Sequence, residues 1–401
     1  MIDVKKIRQD FPVLINQPEE VYLDSAASSL KLKSVIELVD YYYNHLSTNV
    51  YRGAYRLSLE TTDLYEQSRN KLAKFINANP EEVIFTRGTT SALNLVAGSF
   101  REILAKDDEI ITSELEHHSS VIPWMIAAKR TGAKISFVEL TDEGRITVEN
   151  FKKVLTDHTK IVALTYVSNV MGYVTPIKEI IQLAHEKGVI VIVDAAQAAP
   201  HMRIDVKDID CDFLAFSGHK MFGPTGVGIL YGKRKYLEML EPFEYGGEMV
   251  DTVTKDELKW QEIPTKFEAG TPGIASVIGF QKACEYIDTI GYDQIHKHTL
   301  SLRDYTLARL EKLEGITIYN KTADIAIITF NIDGVHPHDV ATFLSEKNVS
   351  VRAGKHCAYL IADKMGMGAT LRASFQIYNS IKDCDALLEG ITETRDFFNQ
   401  F

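Results

Sequence analysis

The chain of 401 residues has few cysteines, only two tryptophans and no long apolar run. Each shortage removes a class of protein. The four cysteines, Cys211, Cys284, Cys357 and Cys384, lie far apart, with no C-x-x-C pair among them. That spacing builds neither a zinc ribbon nor a disulfide framework, and free thiols fit a reducing cytosol. No stretch approaches the ~20 apolar residues of a membrane span. Met1 to Leu14 carries Lys5, Lys6, Arg8 and Asp10 without an apolar segment, so no secretory signal is expected. Positive charge is also short: 44 Lys and Arg face 55 Asp and Glu, a formal net charge of -11. That balance argues against nucleic acid or an anionic membrane as a partner. Internal repeats and low-complexity segments are absent. What is there is an ordinary globular composition, 45% hydrophobic and 25% charged, long enough for two domains and expected in the cytoplasm.

Short apolar runs alternate with helical periodicity through the first part of the chain. Residues 83–86, 109–112, 134–140, 160–167, 189–193, 212–216 and 228–231 read as strands, and helical patterns near 90–99, 121–130, 148–155 and 177–187 lie between them. Strands apolar on both faces and alternating with helices predict an α/β fold with a mostly parallel, helix-covered sheet. After Tyr245-Gly246-Gly247-Glu248 the rhythm changes. A polar stretch to Phe267 leads into two long helices, near 272–290 and 293–313. Strands near 325–330, 349–352 and 370–375 follow, with helices starting at Pro337 and Ile381. The expectation is a large domain over 21–265 and a smaller α+β C-terminal domain over 266–401, the latter joined by the N-terminal segment 1–20.

The chemistry clusters at strand ends. The apolar run from Asp212 to Phe216 stops in Ser217-Gly218-His219-Lys220. A lysine straight after a core strand sits where strand ends meet a ligand crevice, and a desolvated amine there attacks carbonyls. Ser217 and His219 can hydrogen-bond an anion such as a phosphate. Gly88-Thr89-Thr90-Ser91 opens a helix after a strand, and free N–H groups at such a start favour phosphate, although Thr89 or Thr90 would serve equally as a cap. Asp194, ending a fully apolar strand, is costly to bury unless it meets a cation such as a protonated ring nitrogen, and Gln197 can reach the same ring. His117 and His118 are adjacent, so their side chains diverge, and no histidine pair has a cysteine or carboxylate framework; no metal site is expected. His117 suits stacking on a flat cofactor and moving protons. Gly223 to Gly228 lacks the G-K-[ST] ending and runs into a strand, which excludes a nucleotide loop.

Cys357 follows Arg352-Ala353-Gly354-Lys355-His356 on a glycine-containing loop, surroundings that favour a nucleophilic thiol. Arg372 lies inside the apolar run 370–375 with no acid beside it in sequence, and a substrate carboxylate is the economical partner. A solvated lysine, a helix cap or a core thiol would account for any one of these features alone. Together they describe pyridoxal phosphate acting on an amino acid.

On these motifs the sequence resembles the fold-type I, class V aminotransferase group and, within it, the group II (Suf-type) cysteine desulfurases. The matching stretches are Arg87-Gly88-Thr89-Thr90, Glu116-His117-His118, Asp194-Ala195-Ala196-Gln197, Ser217-Gly218-His219-Lys220, Phe267-Glu268-Ala269-Gly270-Thr271-Pro272, the loop from Arg352 to Ala358, and Arg372-Ala373-Ser374-Phe375. The resemblance implies that Lys220 carries pyridoxal 5'-phosphate, Asp194 pairs with its ring nitrogen, Gln197 contacts its ring hydroxyl and His117 stacks on it. It implies a phosphate held by Thr89, Ser217 and His219, with Thr90 beside them and Thr271 reaching across from the other subunit of a homodimer. Asn169 and Arg372 would hold the carboxylate of L-cysteine, with Arg352 a further substrate contact. Cys357 would take the substrate sulfur as a persulfide, for iron-sulfur or other sulfur-compound synthesis through a sulfur-acceptor or scaffold protein. The same residues would also serve a selenocysteine lyase or a cysteine-sulfinate lyase; an aminotransferase and a non-catalytic sulfur-transfer scaffold are further readings. Three positions depart from the family pattern: Lys355 and Tyr51 stand where histidine is usual, and Ala358-Tyr359-Leu360-Ile361 lacks the usual proline.

Overall fold

The computed structural model describes residues 2–400. Its central sheet has seven strands: β1 Val83–Thr86, β2 Glu109–Ser113, β3 Lys134–Val138, β4 Thr159–Thr165, β5 Ile190–Asp194, β6 Phe213–Ser217 and β7 Gly228–Gly232. They lie in the order β1-β7-β6-β5-β4-β2-β3. β7 runs antiparallel to both of its neighbours, and every other pair is parallel. The connection explains the exception: a parallel return needs a crossover of about a dozen residues or more, usually helical, and between β6 and β7 there is only the 3-10 turn Gly218–Lys220. Strands β2, β6 and β7 are buried along their whole length, as a sheet covered by helices on both faces requires.

The long helix Ile274–Ile290 packs on helices Lys33–Tyr41 and Arg56–Phe75. Gly279 permits this approach, since a Cβ there would come within 2.7 Å of Val39 Cγ2. Beyond it, a four-stranded antiparallel sheet is built from β8 Ile316–Ile318, β9 Ile327–Ile332, β10 Arg352–Gly354 and β11 Thr370–Ser374, in the order β8-β9-β11-β10. Val21–Tyr22 pairs in parallel with Val349–Ser350, and Asp24 bridges to Ser374, so the start of the chain is tied to this second sheet. Phe11 is fully buried, edge-on to both Phe222 and Tyr378, which anchors the first residues between the two sheets.

Several elements have no counterpart in the sequence reading, among them the helices Val4–Arg8, Pro12–Asn16, Lys33–Tyr41, Val206–Ile209 and Arg234–Met239. The polar stretch before Phe267 contains a hairpin of Val250–Val253 with Leu258–Trp260, β8 forms an edge strand, and Tyr359–Lys364 makes a short helix. The hairpin is largely exposed, so burial leaves no apolar alternation there to read. Among the described residues no helix is long and apolar enough to cross a membrane.

Candidate active site

The carboxyl ends of β4, β5 and β6, at Thr165, Asp194 and Ser217, open into one cavity of about 190 Å³. This is the edge of an open α/β sheet where ligands bind. Its roof comes from the second sheet, through Arg352, Arg372 and the His356–Cys357 turn. Lys220, Asp194, Gln197, His117, Thr89, Thr90, Ser217, His219 and Asn169 line the same cavity, so residues spread over much of the chain meet in one place.

Lys220 ends the turn after β6. Burial lowers its amine to about 8, against the pull of Asp194 in the other direction. Burial pushes the Asp194 carboxyl up, while the Ala196 N–H, donated to Oδ1 at 2.9 Å, and the Lys220 charge draw it down. Gln197 donates from Nε2 to the Ala26 carbonyl at 2.7 Å, which leaves its Oε1 buried without a partner. Burial, and then the Lys220 charge, hold the His117 imidazole down at about 3. Its Nδ1 accepts the Ser119 N–H at 3.1 Å, so the neutral ring carries its proton on Nε2.

A cluster of hydroxyl groups at a helix start adjoins this group. Gly88, at φ 146°, turns the chain from β1 into the helix Thr89–Phe100. The Thr89 N–H and hydroxyl both lie 2.7 Å from Ser217 Oγ. A Cβ at Gly228 would stand 2.6 Å from Gly88 Cα, so β7 needs glycine where the turn crosses it. Burial, with Lys220 and Lys31, keeps the His219 ring neutral, at about 4. Thr89, Thr90, Ser217 and His219 also border a second, wider cleft of about 660 Å³, and Thr271 lies there and not in the smaller cavity. The loop carrying Thr271 is set by Glu268, whose two oxygens accept from Arg69 at 2.8 and 2.9 Å deep in the protein. Tyr51 joins this network by donating its hydroxyl to Glu66 at 2.6 Å, and Glu66 pairs with Arg69.

On the roof, Arg372 donates to Asp24 Oδ1 at 3.0 Å and to the Asn169 carbonyl at 2.9 Å, and its Nε is buried without a partner. No acid adjoins Arg372 in sequence; the fold supplies one from 348 residues away. Asn169 donates its amide to the His356 carbonyl at 2.8 Å, and Arg352 Nη2 lies 3.8 Å from Cys357 Sγ. His356 and Cys357 both take left-handed φ, 51° and 56°, which turns the half-buried thiol to the cavity. The sequence reading gives no role of their own to Asp24, Ser119 and Glu116, although Glu116 stands in the quoted Glu116-His117-His118 stretch. Glu116 is fully buried, and burial pushes its carboxyl up to about 7; it accepts from Ser113 and the Thr165 N–H, fastening β2 to β4 beside His117. An acid placed directly between a buried strand and a histidine pair was the available signal.

The fold and this arrangement are those of a class of α/β enzymes. Residues 21–387 match the model of the aminotransferase class-V family, and the chain belongs to that family. It is 49% identical over 402 residues to a probable cysteine desulfurase of Halalkalibacterium halodurans, covering 99% of each chain. Its structure is similar to that of the cysteine desulfurase CsdA from Escherichia coli, with a TM-score of 0.93 and 38% identity over 99% of both chains. A cysteine desulfurase from Thermococcus onnurineus gives a TM-score of 0.94 at 39% identity, over 99% of this chain and 98% of the other.

Proposed function

We propose that this protein is a pyridoxal phosphate-dependent cysteine desulfurase of the group II type, converting L-cysteine to L-alanine and holding the sulfur on Cys357. The observation that carries the reading is the meeting of Lys220, Asp194 and Cys357 around one cavity. The residues fit the cofactor: Gln197 Oε1 is a buried acceptor lacking a donor, Asp194 is a buried carboxylate, and the Gly88 turn with the Thr89 helix is suited to a phosphate. Asp194 and Gln197 would hold the ring, His117 would lie against it, and Thr89, Thr90, Ser217 and His219 would hold the phosphate. When bound, pyridoxal phosphate supplies an aldehyde that joins the amino acid and a ring that withdraws electrons from its α-carbon.

Lys220 would hold the cofactor and then carry the proton of the substrate α-carbon, work suited to an amine lowered to about 8. Arg372 and Asn169 would orient the substrate carboxylate, with Arg352 at the thiol. The sulfur step is balanced within the site. Cys357 Sγ gives up its proton and bonds to the substrate sulfur as the carbon–sulfur bond breaks. The electron pair stays with the carbon, which takes a proton, and alanine leaves a persulfide on Cys357. A homodimer, completed by Thr271 at the neighbour's phosphate, and a sulfur-acceptor protein belong to the same reading. The four cysteines are all free, which suits a cytoplasmic setting.

The test is to mix holoenzyme with L-cysteine and measure alanine together with persulfide on the Cys357 peptide. Equal amounts in the first turnover are expected. Alanine from selenocysteine or cysteine sulfinate but none from cysteine would favour a lyase instead.

A further inference from the structure

The loop carrying Cys357 is fastened to the helix His118–Thr131 by contacts that the chemistry above does not use. The His118 N–H donates to the Cys357 carbonyl at 2.8 Å. Two residues on, the Tyr359 N–H donates to His118 Nε2 at 3.3 Å, and the two rings meet edge to face with centroids 4.8 Å apart. Tyr359 opens the short helix Tyr359–Lys364, whose first N–H groups have no partner within the helix, and the preceding Ala358 makes no side-chain cap. The His118 imidazole supplies the missing acceptor from a distant part of the chain. On the outer side of the Tyr359 ring, Lys355 Nζ lies 5.1 Å from the ring centre and pairs with Asp363 at 2.7 Å.

We propose that His118 is a positioning residue for the sulfur-transfer step: with Tyr359, Lys355 and Asp363 it latches the Cys357 loop so that the thiol faces the cavity. The inference rests on the desulfurase reading for its consequence and on the contacts alone for its existence. Two left-handed residues in succession, His356 and Cys357, are unfavourable without an outside hold. Asn169 holds the turn on the near side through the His356 carbonyl, and the latch holds it on the far side. His118 touches no reacting atom. Its loss therefore affects where Sγ stands and leaves the Lys220 chemistry in place.

The experiment uses the holoenzyme and the variants His118→Ala, His118→Gln and Lys355→Met. Three quantities are read: exchange of the α-proton of L-alanine with deuterated water, persulfide formation from L-cysteine, and alkylation of Cys357 by iodoacetamide without substrate. His118→Ala should slow persulfide formation roughly five- to tenfold, the worth of one hydrogen bond and a ring contact. Alkylation should accelerate, and α-proton exchange should stay near the wild-type rate. Glutamine, whose oxygen can accept the Tyr359 N–H, should restore most of the loss. Lys355→Met removes the partly exposed charge that pairs with Asp363 and should give a smaller shift of the same sign. Equal losses in exchange and persulfide formation, or no rescue by glutamine, would make His118 a general structural residue. Unchanged alkylation in both His118→Ala and Lys355→Met would remove the latch altogether. If the wild type forms no persulfide, the desulfurase reading fails, and the alkylation rates still decide the latch.

Discussion

Arg372 and Asp24 form an ion pair of 3.0 Å between the last strand of the second sheet and the turn that follows Val21–Tyr22. Burial lowers the Arg372 guanidinium from its usual range, and Asp24 opposes that shift. The arginine is therefore oriented by protein groups alone. Its Nη1 is held by the Asn169 carbonyl, and its Nε has no partner in the buried space above the cavity.

Removing either side of this pair has a different signature. Breaking a buried ion pair costs about 3–5 kcal/mol, and Asp24, with its side chain 23% exposed, belongs at or below the lower end. Asp24→Ala should lower stability by about 2–3 kcal/mol in urea unfolding. Arg372→Ala should raise KM for cysteine by a large factor with the bound-cofactor absorbance unchanged, and Arg372→Lys should recover only part, since a point charge lacks the two-pronged geometry. Cysteamine, which has no carboxylate, should be a poor substrate and lose little more in the variant. Equal losses for cysteine and cysteamine would assign Arg372 a structural role.

Lys220 makes a prediction about pH in the cofactor-free protein. Its amine lies at about 8 when folded, against an ordinary 10.5. Between those values the unfolded chain binds a proton that the folded chain does not, so this residue's contribution to stability rises with pH across that window. Below about pH 8 both states are protonated and the folded state carries the whole cost of burial. Lys220→Met should therefore raise Tm at pH 7, and the gain should shrink by about pH 10.5. A gain of the same size at both pH values would mean that the buried charge is not its source.

Cys357→Ser separates cofactor chemistry from sulfur chemistry. The variant should keep the visible absorbance of the bound cofactor and its response to added cysteine, yet release little alanine. Desulfuration at the wild-type rate would take Cys357 out of the mechanism and favour a lyase whose leaving group needs no protein thiol.

Thr271 bears on assembly. It faces the wide cleft beside Thr89 and Ser217, outside the smaller cavity. If a neighbouring copy completes the phosphate site through it, the protein should sediment as a dimer and lose cofactor on dilution to monomer. Thr271→Ala should weaken cofactor retention without changing the monomer fold. A stable, fully active monomer would contradict this.

The layered α/β class and the large sheet were legible in the sequence, because both-face burial writes continuous apolar runs at β5 and β6, and helices write a different period between the strands. The sequence also marked Lys220, Asp194 and the Gly88 turn, since each puts a polar group directly after such a run, where burial is costly without a purpose. The exposed hairpin Val250–Val253 with Leu258–Trp260 left no such trace. Which residues meet across distance became visible in the folded chain. Asp24 reaches Arg372 because Val21–Tyr22 adds to Val349–Ser350, a pairing of segments far apart in the chain that neither segment's own pattern specifies. His118 reaches Tyr359 because a helix start on one sheet comes to lie beside a loop of the other. Pairings of this kind depend on how separately specified elements dock, and no local run of residues encodes them.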